Sequence, residues 1–465
     1  MSSTPSSSAP VPTTRDQGAR LSRALPRTCA VGLAVSLGLG AINAGFVTSA
    51  SATGGISVSD AAVDPTRTTA LAADSWPLAV AVAPNGFVYV AESGTNTVSR
   101  INPESGAVDA QLSLPAGATP SSIAASQDGL LYVANTSIDS VSRINPETMS
   151  IIANIELPVG SIPAGLALAP DGTVFVANSG TDSVSRIPAD AVVPAGVTDL
   201  APDAEPKAIA AGTDGSVYVA NYENNTVTVL AQGAIPRSIV LPDGANPVAI
   251  AVAPDATIYT ANPSDDTVSV INPESTTVST SIAIGYSAEP RGIAVDDNGF
   301  VYVVGNQTDA LYRINRGKSV VSSMTKLAVD SEPAGLALTS SGDIFTANFG
   351  TDSVTRVLGV TAPTAVTLQT KNREQKTTKK RQAKLTAEVF AGGLPTSVRF
   401  TYGTDESLAR KPKTSRTLIV APDQSQETVT ITVKGLKPGK KYFYQVLASN
   451  DVVTTAGKVK TIRVR

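Results

Sequence analysis

The chain has 465 residues, of which 42% are hydrophobic and 16% charged, and its net charge is −3. With 36 glycines and 31 prolines, this composition favours a folded β protein. The chain has no histidine and one cysteine, Cys29. These counts exclude Ser-His-Asp triads, histidine metal sites, imidazole general bases and covalent c-type haem.

Residues 1–52 predict a secretory signal peptide. Four arginines between Arg15 and Arg27 precede an apolar run from Ala30 to about Ala41, and the segment ends in Ala50-Ser51-Ala52. A basic stretch, an apolar core and an A-x-A site are typical of an export signal, so we expect cleavage after Ala52. The mature chain would then be secreted or envelope-associated, without cysteine and without a membrane span. The alternative is an uncleaved anchor, which the short apolar core disfavours.

Seven copies of one pattern follow. Each copy has an aromatic residue in a short apolar stretch, at Tyr89, Tyr132, Phe175, Tyr218, Tyr259, Tyr302 and Phe345. The spacing is 43 residues, except for one step of 41. A proline precedes each aromatic by twelve residues, and an Asn or Asp follows it by seven. A period of this length with strand-like content indicates a repeat architecture.

Each repeat predicts four short strands. In the third copy, an apolar run at 165–169 leads through Asp171-Gly172 to a second strand at 173–177 and a third at 183–187. Asp-Gly and Asn-Gly are typical of tight hairpin turns. The fourth strand, such as 108–114 in the first copy, is less regular. Four antiparallel strands in about 43 residues predict a blade of a β-propeller.

The first strand of each repeat has one small face. Alanine lies four residues after every proline, and Ala, Ser or Gly lies two residues after it, whereas the intervening positions are mostly branched aliphatic. Side chains alternate between the faces of a strand. A small face suits strands that converge on an axis, which favours a radial propeller over a solenoid.

The ends of the repeat region predict how the ring closes. The seventh repeat supplies three strands before Thr361-Ala-Pro-Thr364, whereas the segment before the first repeat matches the strand before the last one. We therefore expect strand 68–73 to complete the seventh blade and remove its open edge. This assigns 53–67 to a lead-in and 68–360 to a seven-bladed β-propeller.

The repeat VFVANSGTDSVSRI, followed in other copies by NPES, resembles the YVTN family of bacterial surface and secreted propellers. It is also similar to NHL and streptogramin-lyase-like repeats. The resemblance implies a propeller but no single activity, because such families include adhesins, scaffolds and enzymes. Streptogramin lyases depend on a histidine, so their activity is not expected here. Gluconolactonase-like propellers hold a divalent metal with Glu, Asp and Asn, which leaves a metal enzyme as an alternative.

One position in the repeat is a candidate ligand site. Three residues after each aromatic stand Glu92, Asn135, Asn178, Asn221, Asn262, Gly305 and Asn348. These residues would form a ring of carboxamides with one carboxylate, facing a small ligand or a cation. The alternative, which the regular recurrence favours, is that each Asn ends its strand and bonds the following turn.

Other singular residues have two interpretations. Asp296 and Asp297 could join Glu92 in holding Ca or Mg, or could belong to the Asn298-Gly299 turn, which the sequence favours. Trp76, the only tryptophan, could stack on a sugar, but packing at the ring closure is favoured. Arginines that recur on the third strands are expected to form a solvated stripe paired with acidic neighbours.

The last hundred residues predict a second domain of opposite charge. Residues 53–362 hold 12 Lys and Arg against 31 Asp and Glu, whereas 363–465 hold 20 against 7. We assign 361–383 to a basic linker and 384–465 to a β-sandwich with strands at 384–390, 398–402, 428–433, 442–448 and 458–464. The segment 435–450, with Leu436, Pro438 and Tyr442, resembles the tyrosine corner of fibronectin type III domains.

Together these features favour a non-enzymatic extracellular binding or scaffold protein, without a cofactor, over a Ca- or Mg-dependent lactonase or hydrolase. We expect a monomer whose partner is an extracellular protein, a polysaccharide or an anionic cell-wall polymer. Export makes nucleic acid an unexpected partner. The residues predicted to contact an anionic polymer are Lys376, Lys379, Lys380, Arg381, Lys384, Lys437, Lys440 and Lys441.

Overall fold

The structure is a computed structural model. It describes residues 66–231, 235–275, 277–359, 363–368, 382–410, 412–421, 426–450 and 453–463. The predicted signal peptide and residues 53–65 of the predicted lead-in lie outside these residues. The described chain is all β apart from two short 3-10 helices, Thr136–Ile138 and Phe349–Thr351.

Seven four-stranded antiparallel sheets, here called blades 1–7, fill residues 66–357. The strands of blades 1 to 3 are Pro77–Val82, Val88–Glu92, Thr97–Ile101 and Val108–Ser113; Pro120–Ala125, Leu131–Asn135, Ser140–Asn145 and Ser150–Glu156; and Pro163–Leu168, Val174–Asn178, Ser183–Ile187 and Gly196–Asp199. Those of blades 4 and 5 are Pro206–Ala211, Val217–Asn221, Thr226–Leu230 and Arg237–Val240; and Ala249–Val252, Ile258–Asn262, Thr267–Ile271 and Val278–Ala283. Those of blades 6 and 7 are Pro290–Val295, Val301–Gly305, Ala310–Ile314 and Ser323–Lys326; and Thr66–Ala70, Pro333–Leu338, Ile344–Asn348 and Ser353–Val357.

The first strands of neighbouring blades lie very close together, as their small faces predict. A Cβ atom added to Gly335 would lie 2.6 Å from the Leu78 carbonyl oxygen of the next blade, and one on Gly292 would lie 3.0 Å from that of Ala334. No side chain fits at that separation, so the glycines permit the close approach. The second strands carry most of the core; every residue of Val88–Glu92 is buried.

The ring closes through the N-terminal strand. Thr66–Ala70 pairs antiparallel with Ser353–Val357 and is the fourth strand of blade 7. The strand begins two residues earlier than predicted and ends three residues earlier, because Leu71–Ser75 form the loop into blade 1.

Antiparallel pairing places the loops of every blade at two ends. Pro77 pairs with Glu92, so the loop into each first strand and the loop between the second and third strands share one end. We call this end the entry face. The turns between the first and second strands, and the loops between the third and fourth, form the opposite end, here called the turn face.

The C-terminal domain is a sandwich of two sheets. Thr364–Thr367, Gln382–Phe390 and Gln426–Lys434 form one sheet. Thr396–Gly403 and Lys441–Ser449 are central to the other, with Lys413–Thr414, Leu418–Val420, Thr454–Ala456 and Lys460–Arg463. All five predicted strands are present. Four further strands were not predicted: Thr364–Thr367, which lies in the predicted linker, and Lys413–Thr414, Leu418–Val420 and Thr454–Ala456.

Alternate residues of the long sandwich strands meet in one buried cluster that includes Leu385, Phe400, Ile431 and Tyr444. Leu394, from the loop at 391–395, is instead buried in the cluster of Phe300 and Tyr302. The loop that carries Leu394 therefore packs on the propeller.

Candidate functional site

The candidate asparagines link the second strand to the third strand within five of the seven blades. Asn135 is fully buried, and its Nδ2 donates to Ser140 Oγ at 3.0 Å and to Ser142 Oγ at 2.9 Å, both on the third strand. Asn178, Asn221, Asn262 and Asn348 are equally buried and each donates to two hydroxyls five and seven residues later.

Each Asn ends its second strand, as the sequence predicts, but its hydrogen-bond partners are not those expected. The amide groups bond side-chain hydroxyls of the third strand rather than the backbone of the turn, and each side chain stays within its own blade. Among the described residues, no hydrogen bond joins two of these Asn side chains. The Ser/Thr residues five and seven positions after each Asn, as in Ser183-Val-Ser185, are the signal that identifies this motif in the sequence.

The five asparagines differ in whether the amide oxygen has a hydrogen-bond donor. In blade 5, Thr260 Oγ1 donates to Asn262 Oδ1 at 2.9 Å, and Thr346 serves Asn348 in the same way in blade 7. Blades 2 to 4 have valine at that position, and the oxygens of Asn135, Asn178 and Asn221 have no partner among the described residues. Buried oxygens of this kind are where ordered water is found in proteins.

Glu92 takes the Asn position in blade 1 and reverses the direction of its hydrogen bonds. Its Oε2 accepts from Thr97 Oγ1 at 2.6 Å, Thr95 Oγ1 at 3.1 Å and Gln111 Nε2 at 3.2 Å. The residue is fully buried, and Oε1 has no partner within the described residues. Glu92 is thus the one carboxylate among the seven equivalent positions, and it differs from the asparagines in accepting rather than donating hydrogen bonds.

The acidic residues of the alternative metal site lie apart. Asp296 follows the first strand of blade 6 on the turn face, whereas Glu92 ends the second strand of blade 1 on the entry face. Asp296 Oδ1 accepts the backbone N–H groups of Asn298 and Phe300, both at 2.9 Å, so it organises the turn. Asp297 is exposed. Among the described residues, no group of three or more His, Cys, Asp or Glu side chains is placed to hold a metal.

Trp76 lies where the ring closes. Its ring centroid is 6.2 Å from that of Phe349 in blade 7, and a Cβ on Gly94 of blade 1 would come within 3.0 Å of the indole. The side chain is still 40% exposed. Trp76 therefore packs against two blades and keeps part of its surface open on the entry face.

A clasp that sequence reasoning did not identify joins each blade to the next. The Asn or Asp seven residues after the aromatic has a positive φ, and its side chain accepts backbone N–H groups from the loop entering the next blade. Asp139 accepts from Gly160 and Ile162 at 2.7 and 2.8 Å. The other acceptors are Asn96, Asp182, Asn225, Asp266, Asp309 and Asp352.

The clasp also explains the strained backbone of the residue that precedes each proline. The residue before each proline has φ between 43° and 49°, including the β-branched Thr119 and Ile162. This left-handed conformation is costly for such residues. The N–H of this residue is the one that every clasp holds, so the carboxylate or carboxamide maintains the conformation.

The loops of the entry face carry exposed apolar side chains and acidic side chains. Val159, Tyr286 and Val329, each from a loop into a first strand, are 95%, 96% and 79% exposed. In the loop between the second and third strands of blade 4, burial and the neighbouring Glu205 raise the pKa of Glu223. Burial also raises the pKa of Asp265, against the hydrogen bonds from Thr267.

Arginines on the turn face bind the neighbouring blade. Arg100 Nη1 donates to the Pro146 carbonyl at 3.0 Å, and Arg356 Nη1 donates to that of Pro103 at 2.9 Å. Arg237 donates to the Pro273 carbonyl. Acidic pairing, the predicted role, occurs as well: Arg100 with Asp109 and Arg356 with Asp343.

The NPES and NPET motifs present these carbonyls. Asn102 Oδ1 accepts the backbone N–H groups of Glu104 and Ser105, and Asn145 makes the same turn in blade 2. The turn is fixed by the asparagine, and the proline carbonyl within it points to the arginine of the preceding blade.

The predicted polymer-contact residues are partly described. Lys376, Lys379, Lys380 and Arg381 lie outside the described residues. The turn before Tyr442 exposes Lys437 and Lys440, and Lys441 is exposed at the start of the strand Lys441–Ser449. The strand Gln382–Phe390 exposes Lys384. The Tyr442 hydroxyl accepts the Lys437 backbone N–H at 2.9 Å, a contact of the kind made in a tyrosine corner.

Comparison with known proteins bears on the fold. Residues 60–262 match the virginiamycin B lyase family, 273–306 a β-propeller repeat and 357–463 the N-terminal domain of PhoD-like phosphatases. A streptogramin B lyase structure aligns with 63% of this chain and 96% of its own, at 17% identity and a TM-score of 0.57. The fold is that of a lyase-like β-propeller.

Further structures agree on this fold. A catalytically inactive virginiamycin B lyase from Staphylococcus aureus with quinupristin shares 19% identity over 63% of this chain and 98% of its own, with a TM-score of 0.57. Hydrazine synthase from Kuenenia stuttgartiensis shares 17% over 65% and 99%, with a TM-score of 0.54. Among curated proteins no sequence matches. No helix in the described part of the chain is long and apolar enough to cross a membrane.

Proposed function

We propose that this protein is a secreted or cell-surface binding protein without catalytic activity. Its entry face would dock an extracellular protein or polysaccharide, and its basic C-terminal domain would contact an anionic cell-wall polymer. The observation that carries the proposal is the exposure of three loop tips on the entry face, Val159, Tyr286 and Val329, which are 95%, 96% and 79% exposed. Burial of these side chains against a partner would make a favourable hydrophobic contribution to binding.

The comparison with lyases supports a role other than theirs. The catalytically inactive lyase in the structure with quinupristin is a variant in which a histidine is replaced by alanine. This chain contains no histidine at any position. A lyase reaction that needs an imidazole therefore has no residue to perform it here.

The entry-face proposal can be tested by replacing Val159, Tyr286 and Val329 with serine in one variant. All three are exposed, so we expect an unchanged melting temperature. Retention of the chain from residue 53 on isolated cell-wall and polysaccharide fractions should fall at least tenfold if these tips dock the partner. A matched control places serine at the exposed Val192, Val193 and Val197, which lie in or before the outer strand of blade 3. Equal loss in both variants, or no loss, would contradict the proposal.

The polymer contact of the C-terminal domain needs a charge test. Reversing Lys437, Lys440 and Lys441 to Glu should lower retention on cell-wall material at low ionic strength. Raising the salt to 1 M, where screening acts beyond about 3 Å, should release the unmodified chain. The control reverses Arg399, Lys413 and Arg416, which are exposed on the same domain. Because both variants have the same net charge, equal retention would reject a localised contact.

Glu92 favours one alternative function, a Ca- or Mg-dependent hydrolase. Its buried Oε1 has no partner among the described residues, and an oxygen ligand of this kind suits either cation. Elemental analysis of the purified chain decides between the two functions. A stoichiometric cation that is lost in Glu92→Gln supports the hydrolase, whereas its absence in both supports the binding protein.

A further inference from the structure

One end of the C-terminal sandwich faces the turn face of the propeller. The chain leaves blade 7 at Val357, the last residue of a third strand on the turn face, and enters the sandwich at Thr364. Thr364 pairs with Phe390, and Leu394, in the loop that follows Phe390, is buried in the propeller cluster that contains Phe300. The start of the first sandwich strand and the contact of Leu394 therefore place the same end of the sandwich against the propeller.

The far end of the sandwich, here called the basic end, exposes a cluster of positive charge. Gln426–Lys434 pairs antiparallel with Gln382–Phe390 over nine residues, so its last residue is about 27 Å from the end that faces the propeller. The loop 435–440 and the start of Lys441–Ser449 follow at the basic end. The exposed basic residues of this end are Lys434, Lys437, Lys440, Lys441 and Arg463. Acidic residues of the described loop after Thr396–Gly403 are fewer, namely Asp405 and Glu406.

The entry face, on the opposite side of the propeller, carries negative charge alone. Its loops are the seven that lead into first strands and the seven between second and third strands, all of which the structure describes. These loops contain fourteen Asp and Glu residues and no Lys or Arg. The fully exposed acidic residues among them are Asp74, Asp203, Glu223, Asp243, Asp330 and Glu332. The exposed tips Val159, Tyr286 and Val329 belong to the same loops.

The basic end and the entry face lie on opposite sides of the propeller, so they cannot meet within one molecule. A second copy can bring its basic end to the entry face of the first. Complementary potentials of this kind speed the encounter of two surfaces and favour one orientation between them. A contact between two different surfaces of identical chains leaves one surface of each kind free, so it continues into an open chain unless a ring closes.

We propose that the basic end of the C-terminal domain docks on the entry face of a second copy, and that copies assemble head to tail into a linear chain. This inference rests on the proposed docking role of the entry face and names the partner of that face. It replaces the monomer expected from the sequence. Only the last copy of such a chain keeps its basic end free, and that copy can contact the anionic polymer.

Sedimentation velocity of the chain from residue 53, without any added polymer, tests the assembly. At low ionic strength we expect the average mass to rise with protein concentration beyond that of a dimer. At 1 M salt, where screening acts beyond about 3 Å, we expect a monomer. A monomer at every concentration in low salt would overturn the proposal, as would a dimer that grows no further.

Two charge-neutralising variants separate the two surfaces. The first replaces Lys437, Lys440 and Lys441 with glutamine. The second replaces Asp74, Asp203 and Asp330 with asparagine; these three aspartates occupy one repeat position with positive φ, which asparagine also tolerates. Each variant alone should self-associate at least tenfold more weakly than the unmodified chain. An equimolar mixture should form one-to-one dimers, because one intact surface of each kind remains in the pair.

Matched controls make the same changes of charge elsewhere. Glu104, Glu147 and Glu274 are exposed on the turn face, and Arg399, Arg416 and Lys458 are exposed beside the middle of the sandwich strands. Their glutamine variants should assemble like the unmodified chain. Equal weakening in the controls, or failure of the mixture to dimerise, would overturn the proposal. Retention on cell-wall and polysaccharide fractions is measured separately, so a monomer that is still retained would overturn the head-to-tail assembly and leave the proposed function standing.

Discussion

Asp352 and Trp76, which are 276 residues apart in the chain, are joined by a hydrogen bond of 2.9 Å from the Trp76 backbone N–H to the Asp352 carboxylate. The same carboxylate accepts the Asp74 N–H at 2.9 Å and the Ser75 hydroxyl at 3.1 Å. Equivalent clasps elsewhere join blades that are consecutive in sequence. This one joins blade 7 to blade 1, which are also connected by the strand Thr66–Ala70 and by the hydrogen bond from Arg356 to the Pro103 carbonyl.

Asp352→Ala should destabilise the chain by about 2 kcal/mol, because two backbone N–H groups and a hydroxyl lose a charged acceptor. Asp352→Asn should cost less, since Asn96 and Asn225 clasp their blades with one amide oxygen each. Chemical denaturation monitored by Trp76 fluorescence measures both changes. Equal stability of the alanine variant and the unmodified chain would contradict the role of the clasp.

A second prediction concerns the closing strand. A chain that begins at residue 74 lacks Thr66–Ala70, so the third strand of blade 7, Ser353–Val357, becomes an open edge. Such edges pair with other chains. We expect aggregation on light scattering and a lower melting temperature than for a chain that begins at residue 53. A truncated chain that stays monomeric and melts at the same temperature would refute the closure.

The fold was predictable because its signals repeat. The aromatic at Tyr89 and its six equivalents, the small faces of the first strands and the unmatched segment before blade 1 each specify the seven-bladed ring. The strand bounds differed where Leu71–Ser75 form a loop whose conformation depends on Asp352. The hydrogen bonds between this loop and Asp352 join residues that are too far apart in sequence for local propensity to indicate them.

The candidate site was less predictable. Five asparagines at one position indicate a repeated role, but burial and the hydroxyl partners of Asn135 become visible only when the third strand is placed beside the second.

A third prediction uses the amide oxygen that lacks a donor in blade 3. Val176→Thr places a hydroxyl where Thr260 and Thr346 donate to the amide oxygens of their blades. The new hydrogen bond to Asn178 Oδ1 should offset the burial of the hydroxyl, because the acceptor is otherwise unsatisfied.

Val303→Thr is the matched control for this substitution. Val303 is equally buried in blade 6, but Gly305 stands where the asparagine would be, so no amide oxygen is available. We expect Val176→Thr to be more stable than Val303→Thr by about 1 kcal/mol in chemical denaturation. Equal loss in both variants would show that Asn178 Oδ1 gains no donor.

The last prediction is a pH dependence at Asp265. Burial raises the pKa of this carboxyl above its ordinary value of 3.8. The native state therefore binds the proton more tightly than the unfolded state, so the contribution of Asp265 to stability is present below pH 3.8 and is lost as the pH rises through the native pKa.

Asp265→Asn removes this pH-dependent loss of stability and keeps an amide oxygen for the Thr267 N–H and hydroxyl. Blade 4 has that arrangement, with Asn224 accepting from Thr226 at 2.7 Å. We expect Asp265→Asn to be the more stable form at pH 7, by about 0.5 kcal/mol, with the advantage shrinking toward pH 3. The reverse change, Asn224→Asp, should destabilise at pH 7 and less at acid pH. An advantage of Asp265→Asn that is constant across this range would mean that the charge of Asp265 is not its cause.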